Sequence, residues 1–188
     1  MENGVRRSGT DRRKVQKEVV VERRQEKDRR EVIKESLRII GFMKKIPIFK
    51  GLIDDQYKKI LSVCSKMPIQ KDHFLCGEGD ESKELFILIK GQLKVLFRGG
   101  TLVGYISPMG IVGEIGIFTD TKRSATVMAS KDSTVLKVSK GEIFKLFKQD
   151  CVLGTRILLN VIKDLANKLQ EDNEVIEELR NKRRTRVL

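Results

Sequence analysis

The sequence has few of the residues from which disulfide frameworks and most zinc sites are built. Its 188 residues include three cysteines and one histidine. Cys64, Cys76 and Cys151 lie far apart without a CxxC pair, so their spacing matches neither a zinc nor an iron–sulfur signature. An odd number of scattered cysteines favours a reducing compartment, and we expect a cytoplasmic protein without a metal site or a cofactor.

Long apolar runs and catalytic motifs are also missing. No stretch approaches the roughly 20 apolar residues of a transmembrane helix, and the arginine-rich N-terminus lacks the apolar region of a secretory signal. The sequence contains no P-loop, no paired catalytic carboxylates and no Ser-His-Asp or Cys-His set. We therefore predict no membrane span and no catalytic residue, and we expect that the protein is not an enzyme.

Positive charge is in excess and is concentrated at both ends of the chain. The formal net charge is +13. Residues 1–35 contain 12 Lys or Arg against eight Asp or Glu with few apolar residues, which predicts a basic arm, disordered or transiently helical, that cannot bury a core. Residues 180–188 contain five basic residues and no acidic one. Such tails suit an anionic partner such as nucleic acid or a membrane surface, but they also serve solubility alone.

The periodicity of the central region changes from helix to strand. A short helix is predicted from Val32 to Gly41, and a second over Phe49–Met67 that ends at Pro68. Apolar residues then alternate with polar ones, and turn signals every 8–12 residues predict a closed β-barrel or a sandwich. The predicted strand regions are Glu84–Phe97, Leu102–Ile106, Ala125–Ala129 and Thr134–Val138.

Helical periodicity returns after Ser139. A short helix is predicted over Lys140–Lys148 and a long one from about Val152 to Lys182. Apolar residues of the long helix follow each other at steps of four and three, as in a coiled coil, with Asp172 as the single polar interruption. We expect a homodimer through residues 152–182, the alternative being a helix packed on its own barrel. The apolar positions are Leu158, Ile162, Leu165, Leu169, Ile176 and Leu179.

The segment GEIGIFTDTKRSATVMA, residues 113–129, combines groups that suit a hydroxyl and a phosphate side by side. Glu114 supplies a carboxylate acceptor, and one helical turn over Ile115–Phe118 would present free N–H groups to an anion. Arg123 can bind a phosphate through two parallel donors, and Ser124 adds a hydroxyl. A 3′,5′-cyclic nucleotide carries both groups, so we predict such a ligand.

This segment resembles the phosphate-binding cassette of the cyclic nucleotide-binding domain family, which includes the catabolite activator protein and the regulatory subunits of protein kinase A. The resemblance extends from Ile46 to Asn173. It implies a mainly β fold with flanking helices, namely a double-stranded β-helix (jelly-roll) barrel with N-terminal helices and a long C-terminal helix. We expect an arm over residues 1–35, the barrel domain over 36–150, and the long helix with its basic tail over 151–188.

The resemblance also implies a role for each cassette residue. Glu114 would bind the ribose 2′-hydroxyl, and Arg123 with Ser124 would bind the cyclic phosphate. Backbone amides would complete the phosphate cradle, and a glycine before Glu114 lets the backbone approach the ligand. The predicted ligand-binding residues are Gly113, Glu114, Ile115, Gly116, Arg123, Ser124 and Ala125. Met109 and Gly110 replace a Gly-Asp pair that is usual in the family, which bears on affinity rather than on ligand class.

The predicted function is that of a regulatory sensor. Binding of cAMP or cGMP, with cAMP as the first choice, would reposition the C-terminal helix and act on a protein effector that the sequence does not identify. The chain stops nine residues after Leu179, so we expect no helix-turn-helix domain. Three alternatives stay open: nucleic-acid or membrane-surface binding by the basic tails, haem ligation by His73 or Cys76, and a ligand-free scaffold with Glu114 and Arg123 as a plain ion pair.

Overall fold

The structure, a computed structural model, describes residues 28–185. Helix α1 covers residues 28–43, and its first part, up to Ile39, belongs to a unit of its own. In that unit Val32, Ile33 and Leu37 are exposed, and Ser36 Oγ donates to the carbonyl of Val32 at 2.9 Å. Most of the predicted arm, residues 1–27, lies outside the described residues, as do residues 186–188 of the basic tail.

The second unit contains a 3-10 turn, eight strands and four helices. The turn is Pro47–Phe49, and helix α2 is Asp54–Ser62. The strands are β1 Ser65–Ile69, β2 Phe74–Cys76, β3 Glu84–Lys90, β4 Leu93–Phe97, β5 Thr101–Ile106, β6 Ile111–Val112, β7 Thr126–Ala129 and β8 Ser133–Ser139. The remaining helices are α3 Glu114–Thr119, α4 Lys140–Gln149 and α5 Cys151–Thr185. None of the helices among the described residues is long and apolar enough to span a membrane.

The eight strands form two four-stranded antiparallel sheets. One sheet has the order β1-β8-β3-β6 and the other has the order β2-β7-β4-β5. Apolar side chains of both sheets pack into one cluster, because alternate residues of each strand face the space between the sheets. The predicted jelly-roll fold with flanking helices is confirmed. The cluster comprises Ile69, Phe86, Leu88, Leu93, Val112, Val127, Ala129 and Val135.

The helix predicted over Phe49–Met67 is wrong in its extent. Helix α2 ends at Ser62, and Pro68 lies in strand β1 rather than ending a helix. Because β1 is at the edge of its sheet, a residue without an N–H is tolerated there.

The region Glu84–Phe97 forms two strands that are separated at Gly91, where φ is +97°. A Cβ at this glycine would lie 2.6 Å from the Cα of Ser133, so the turn requires glycine.

The two C-terminal helices begin where they were predicted, and polar side chains fix both starts. Ser139 Oγ accepts a hydrogen bond from the amide of Glu142, whose carboxylate binds the amide of Ser139 in return. This capping box starts α4. Asp150 Oδ1 accepts from the amide of Leu153 at 2.9 Å and so caps the start of α5. Further along α5, Asn160 Nδ2 donates to backbone carbonyls of the 3-10 turn region, at 3.1 and 2.8 Å.

An aromatic cluster connects the short helix α3 to α4. The ring of Phe118 stacks on that of Phe147 at 6.2 Å, and Phe144 packs against both rings. A Cβ at Gly154 of α5 would lie 2.9 Å from the Cβ of Phe147, so a glycine at this point lets α5 approach α4 closely. The cluster therefore fixes the position of α3 relative to the C-terminal helices.

Candidate functional site

Gly113 turns the chain from strand β6 into helix α3. Its φ is +91°, in the left-handed region where a side chain causes strain. A Cβ at this position would lie 2.8 Å from the Cζ of Arg123 and 2.9 Å from the carbonyl oxygen of Glu84. Position 113 therefore requires glycine for two reasons: its backbone is left-handed, and the guanidinium of Arg123 occupies the space that a side chain would need.

Arg123 is a buried cation with unused donors. Its side chain is 6% exposed, its Nη2 donates to the carbonyl of Glu84, and its guanidinium lies 5.6 Å from the centre of the Phe86 ring. Within residues 28–182, Nε and Nη1 have no hydrogen-bond partner. Buried donors without a partner are costly, and an anion in the adjoining space would satisfy both.

The backbone around Arg123 is held by the connection between β2 and β3. Its amide donates to the carbonyl of Asp80, and its carbonyl accepts from the amide of Gly79, both at 2.9 Å. These reciprocal bonds fix the arginine in one register against a neighbouring loop. The guanidinium is thus pre-positioned, and little ordering would be needed when an anion binds.

Glu114 forms an ion pair with helix α5 and not with Arg123. Its Oε1 lies 3.1 Å from Nζ of Lys168, and its side chain is 13% exposed, against 53% for the lysine. Lys168 also contacts Asp164 at 2.9 Å. Burial favours the neutral amine, but the two carboxylates outweigh this effect and raise the pKa of Lys168. The plain Glu114–Arg123 ion pair of the scaffold alternative is therefore not formed.

A cavity of about 210 Å³ joins these groups. A single water needs only roughly 10–15 Å³ on this measure, so the space suits a ligand rather than an isolated solvent molecule. All seven predicted ligand-binding residues line it, and Ser82, Thr121 and Lys122 add polar groups. The remaining wall is formed by strand residues, which are Cys76, Val95, Ile106, Ile111, Val112 and Val127. The structure thus brings the predicted site together, while the role of each residue stays a prediction.

Four polar residues at this site were not predicted as ligand-binding: Thr121 and Lys122 lie within the cassette segment, whereas Ser82 and Lys168 lie outside it. Ser82 lies about 30 positions before the cassette and Lys168 about 40 positions after it, and neither lies in a segment to which a ligand contact was assigned. Helical periodicity alone does not give the face of α5 that turns toward the cassette. Sequence spacing therefore offered no signal for either contact.

The haem alternative finds no support in this geometry. His73 is exposed, with Nδ1 3.3 Å from the carbonyl of Lys71, and it is not among the residues that line the cavity. Cys76 does line the cavity, but burial raises the pKa of its thiol and so disfavours the thiolate that would bind iron. Across residues 28–185, no group of three or more His, Cys, Asp or Glu side chains could hold a metal ion.

The cassette, residues 113–129, lies within the part of the chain that matches a known family. Residues 66–150 match the family described as Cyclic nucleotide-binding domain. The recognition of this family from the cassette is therefore confirmed.

The chain is similar to two proteins whose names mention a cyclic nucleotide. It is 25% identical over 129 residues to the cAMP-activated global transcriptional regulator Vfr of Pseudomonas aeruginosa, covering 64% of this chain and 58% of the regulator. It is 27% identical over 112 residues to human cGMP-dependent protein kinase 2, covering 55% of this chain and 14% of the kinase. The chain thus spans less than two thirds of the length of these relatives.

A solved structure supports the fold independently. A cyclic nucleotide-binding domain from Methylobacillus flagellatus superimposes with a TM-score of 0.67 at 21% identity, covering 76% of this chain and 83% of that domain. At this identity the similarity concerns the fold alone.

Proposed function

We propose that the protein is a regulatory sensor that binds cAMP or cGMP in the cavity beside Arg123 and does not catalyse a reaction. The observation that carries this proposal is the pair of unpartnered donors, Nε and Nη1, on a guanidinium that is only 6% exposed. The cyclic phosphate would satisfy both donors. Ser124 and the backbone amides of the cassette would complete its binding, and Glu114 would accept from the ribose hydroxyl.

One wall of the cavity is lined by apolar side chains and a thiol. Cys76 pairs with Val127 and Val127 with Val95, so these side chains form a row across one sheet, and all three line the cavity. This wall offers apolar contact to a base, but it has few polar groups that could form hydrogen bonds with the base and so distinguish adenine from guanine. One relative is described as cAMP-activated and another as cGMP-dependent. We keep cAMP as the first choice and expect modest discrimination against cGMP.

The ion pair of Glu114 with Lys168 supports a role for α5 in the response. The hydrogen bond uses Oε1 of the carboxylate, which leaves Oε2 for the ribose hydroxyl. A ligand that binds Glu114 would therefore change the environment of a contact that holds α5 to the barrel. We propose that α5 is repositioned because the ligand favours one arrangement of this contact over another.

Isothermal titration calorimetry with cAMP and with cGMP tests the binding proposal. We expect binding by the natural sequence and a loss of at least about a hundredfold in Arg123→Ala, because at least two charge-assisted hydrogen bonds disappear. Arg98→Ala is the matched control, since Arg98 lies on an exposed turn with its guanidinium over Phe97. Absence of heat with both nucleotides, or equal affinity of the Arg123 variant, would refute the proposal.

We also propose a homodimer through α5. Apolar side chains on this helix are exposed at coiled-coil spacing: Ile162 is 62%, Leu169 is 62% and Leu179 is 60% exposed. In light scattering after size exclusion, Leu169→Glu should give a monomer, whereas Gln170→Glu, at the next position, should not. If the natural protein is a monomer in this measurement, the dimer proposal is refuted, and the proposal of nucleotide binding is not affected.

The basic ends and the location of the protein stay proposals. Residues 1–27 and 186–188 lie outside the described residues, so a weak nucleic-acid contact through these tails rests on their charge alone. We likewise propose a cytoplasmic location and a protein effector, on the scattered cysteines and on the regulatory character of the relatives.

A further inference from the structure

Ser82 has a buried hydroxyl that the cassette does not explain. It lies in the connection between β2 and β3, outside the segment from which the ligand site was predicted. Among residues 28–182, three buried side-chain polar atoms have no hydrogen-bond partner, and two of them belong to Arg123. The third is Oγ of Ser82, a residue that lines the same cavity.

The position of this hydroxyl is fixed against the cassette helix. A Cβ at Gly116 would lie closer than 3.0 Å to Oγ of Ser82 and 2.8 Å from the carbonyl oxygen of Thr121. The hydroxyl therefore lies against the Cα of Gly116, at the first turn of α3. The same connection forms the reciprocal backbone bonds with Arg123 through Gly79 and Asp80. Ser82 and Arg123 are thus held together without a direct bond between them.

A hydroxyl in this setting has an unused donor. Burying a hydroxyl without a hydrogen-bond partner costs free energy. An alanine at position 82 would avoid that cost and would fill almost the same volume. The two unused donors of Arg123 on the same cavity indicate an anionic ligand. An oxygen of that anion would also accept from Ser82, which would offset the cost of burying the hydroxyl.

We propose that Ser82 is a further ligand-binding residue, whose hydroxyl donates a hydrogen bond to an oxygen of the cyclic phosphate held by Arg123. This inference rests on the proposed function, because it requires a cyclic nucleotide in the cavity. It adds to the site a residue from a different loop, so that the phosphate is bound from the β2–β3 connection as well as from the cassette.

Ser82→Ala tests the proposal through two measurements with opposite expected directions. Calorimetry with cAMP should show affinity weakened by about tenfold or more, as expected for a lost hydrogen bond to a charged group. Thermal unfolding without ligand should show an unchanged or higher midpoint, because an unpartnered buried hydroxyl has been removed. Ser62→Ala is the control: Ser62 is exposed on α2 and donates to the carbonyl of Lys59, so its loss should not change nucleotide affinity.

Phosphorothioate analogues of cAMP identify the oxygen involved. In the two diastereomers, sulfur replaces one or the other non-bridging phosphate oxygen and accepts hydrogen bonds weakly. If Ser82 donates to one of these oxygens, the natural protein should bind the diastereomer with sulfur at that position more weakly than cAMP. Ser82→Ala has already lost this hydrogen bond, so its affinity should differ less between cAMP and that diastereomer. The other diastereomer should show the same loss in both proteins.

A structural role for Ser82 gives the reverse result. Unchanged cAMP affinity in Ser82→Ala, or a lower midpoint of the ligand-free variant with unchanged affinity, overturns the inference. The inference is also overturned if, for each diastereomer, the loss of affinity relative to cAMP is the same in the natural protein and in Ser82→Ala. The proposed function fails separately, by absence of cAMP and cGMP binding in the natural protein, whereas this inference fails when the natural protein binds and Ser82→Ala binds equally well.

Discussion

The guanidinium of Arg123 lies so close to the Cα of Gly113 that its Cζ would be 2.8 Å from a Cβ at that position. One residue is the buried cation of the cavity, and the other is the turn from which the helix with Glu114 begins. The turn and the cation therefore constrain each other, since the arginine can take this position only while residue 113 has no side chain.

Gly113→Ala should abolish nucleotide binding. The new Cβ would displace the guanidinium, and the left-handed φ of +91° adds strain of roughly 1–2 kcal/mol. Gly99→Ala is the matched control, because Gly99 has a φ of +78° and open space around a Cβ. Chemical denaturation should show a larger loss of stability for Gly113→Ala than for Gly99→Ala, and calorimetry should show binding only in the control. Equal behaviour of the two variants would contradict the close contact.

Lys168→Met should weaken the binding of cAMP by about two- to fivefold, since a partly exposed ion pair is worth up to about 1 kcal/mol. The lysine holds the carboxylate of Glu114 in place, so its loss should affect the interaction with the ribose hydroxyl. Binding of 2′-deoxy-cAMP, which lacks that hydroxyl, should change little. Lys163→Met on the same helix is the control and should alter neither affinity. If Lys168→Met weakens the binding of cAMP and of 2′-deoxy-cAMP equally, Lys168 does not act through Glu114.

The sequence predicted which residues lie together at this candidate site where those residues are close in the chain. Gly113, Glu114 and Arg123 lie within one short segment, and the cavity brings them together. Ser82 lines the same cavity and Lys168 contacts Glu114, and both contacts join elements that are distant in the chain, as the pairing of Phe86 in β3 with Val112 in β6 does. Such long-range pairing is set by the packing of the whole barrel, which no local spacing encodes.

The same distinction explains the errors in the fold. The long helix α5 and the strands β5, β7 and β8 have clear periodicities, and their bounds were predicted within one or two residues except near the end of α5. Strand β1 was missed because it is mostly exposed and contains Pro68, which reads locally as the end of a helix. Only its place at the edge of a sheet makes that proline acceptable.

Met109→Gly should stabilise the protein slightly. Met109 has a φ of +81°, at the position where the family usually has glycine, and its side chain is 40% exposed. Relief of roughly 1–2 kcal/mol of backbone strain exceeds the entropic cost of glycine, about 0.5–1 kcal/mol. We expect a gain of about 0.5–1 kcal/mol, which is about 1 to 4 °C in the unfolding midpoint. Met109→Ala removes the side chain but keeps the strain, so it should not stabilise the protein; a gain of equal size in both variants would assign the effect to the side chain.

Asp150 should make the anchoring of α5 sensitive to acid. The amide of Leu153, and then Lys59 at 3.1 Å, stabilise its carboxylate and lower its pKa from the ordinary value of 3.8. A lowered folded-state pKa means that the stabilisation is present above pH 3.8 and is lost as the pH falls through the lower value. Asp150→Asn keeps an acceptor for the helix cap but carries no charge.

The midpoint of the natural protein should therefore exceed that of Asp150→Asn near neutral pH, and the difference should shrink as the pH is lowered below 3.8. Glu174→Gln, at an exposed position of the same helix outside its apolar seam, should match the natural protein throughout. A difference that stays constant down to strongly acidic pH would show that the charge of Asp150 does not contribute. In that case the cap of α5 would depend on hydrogen-bond geometry alone, because the amide oxygen of the Asp150→Asn variant can accept from Leu153 as the carboxylate does.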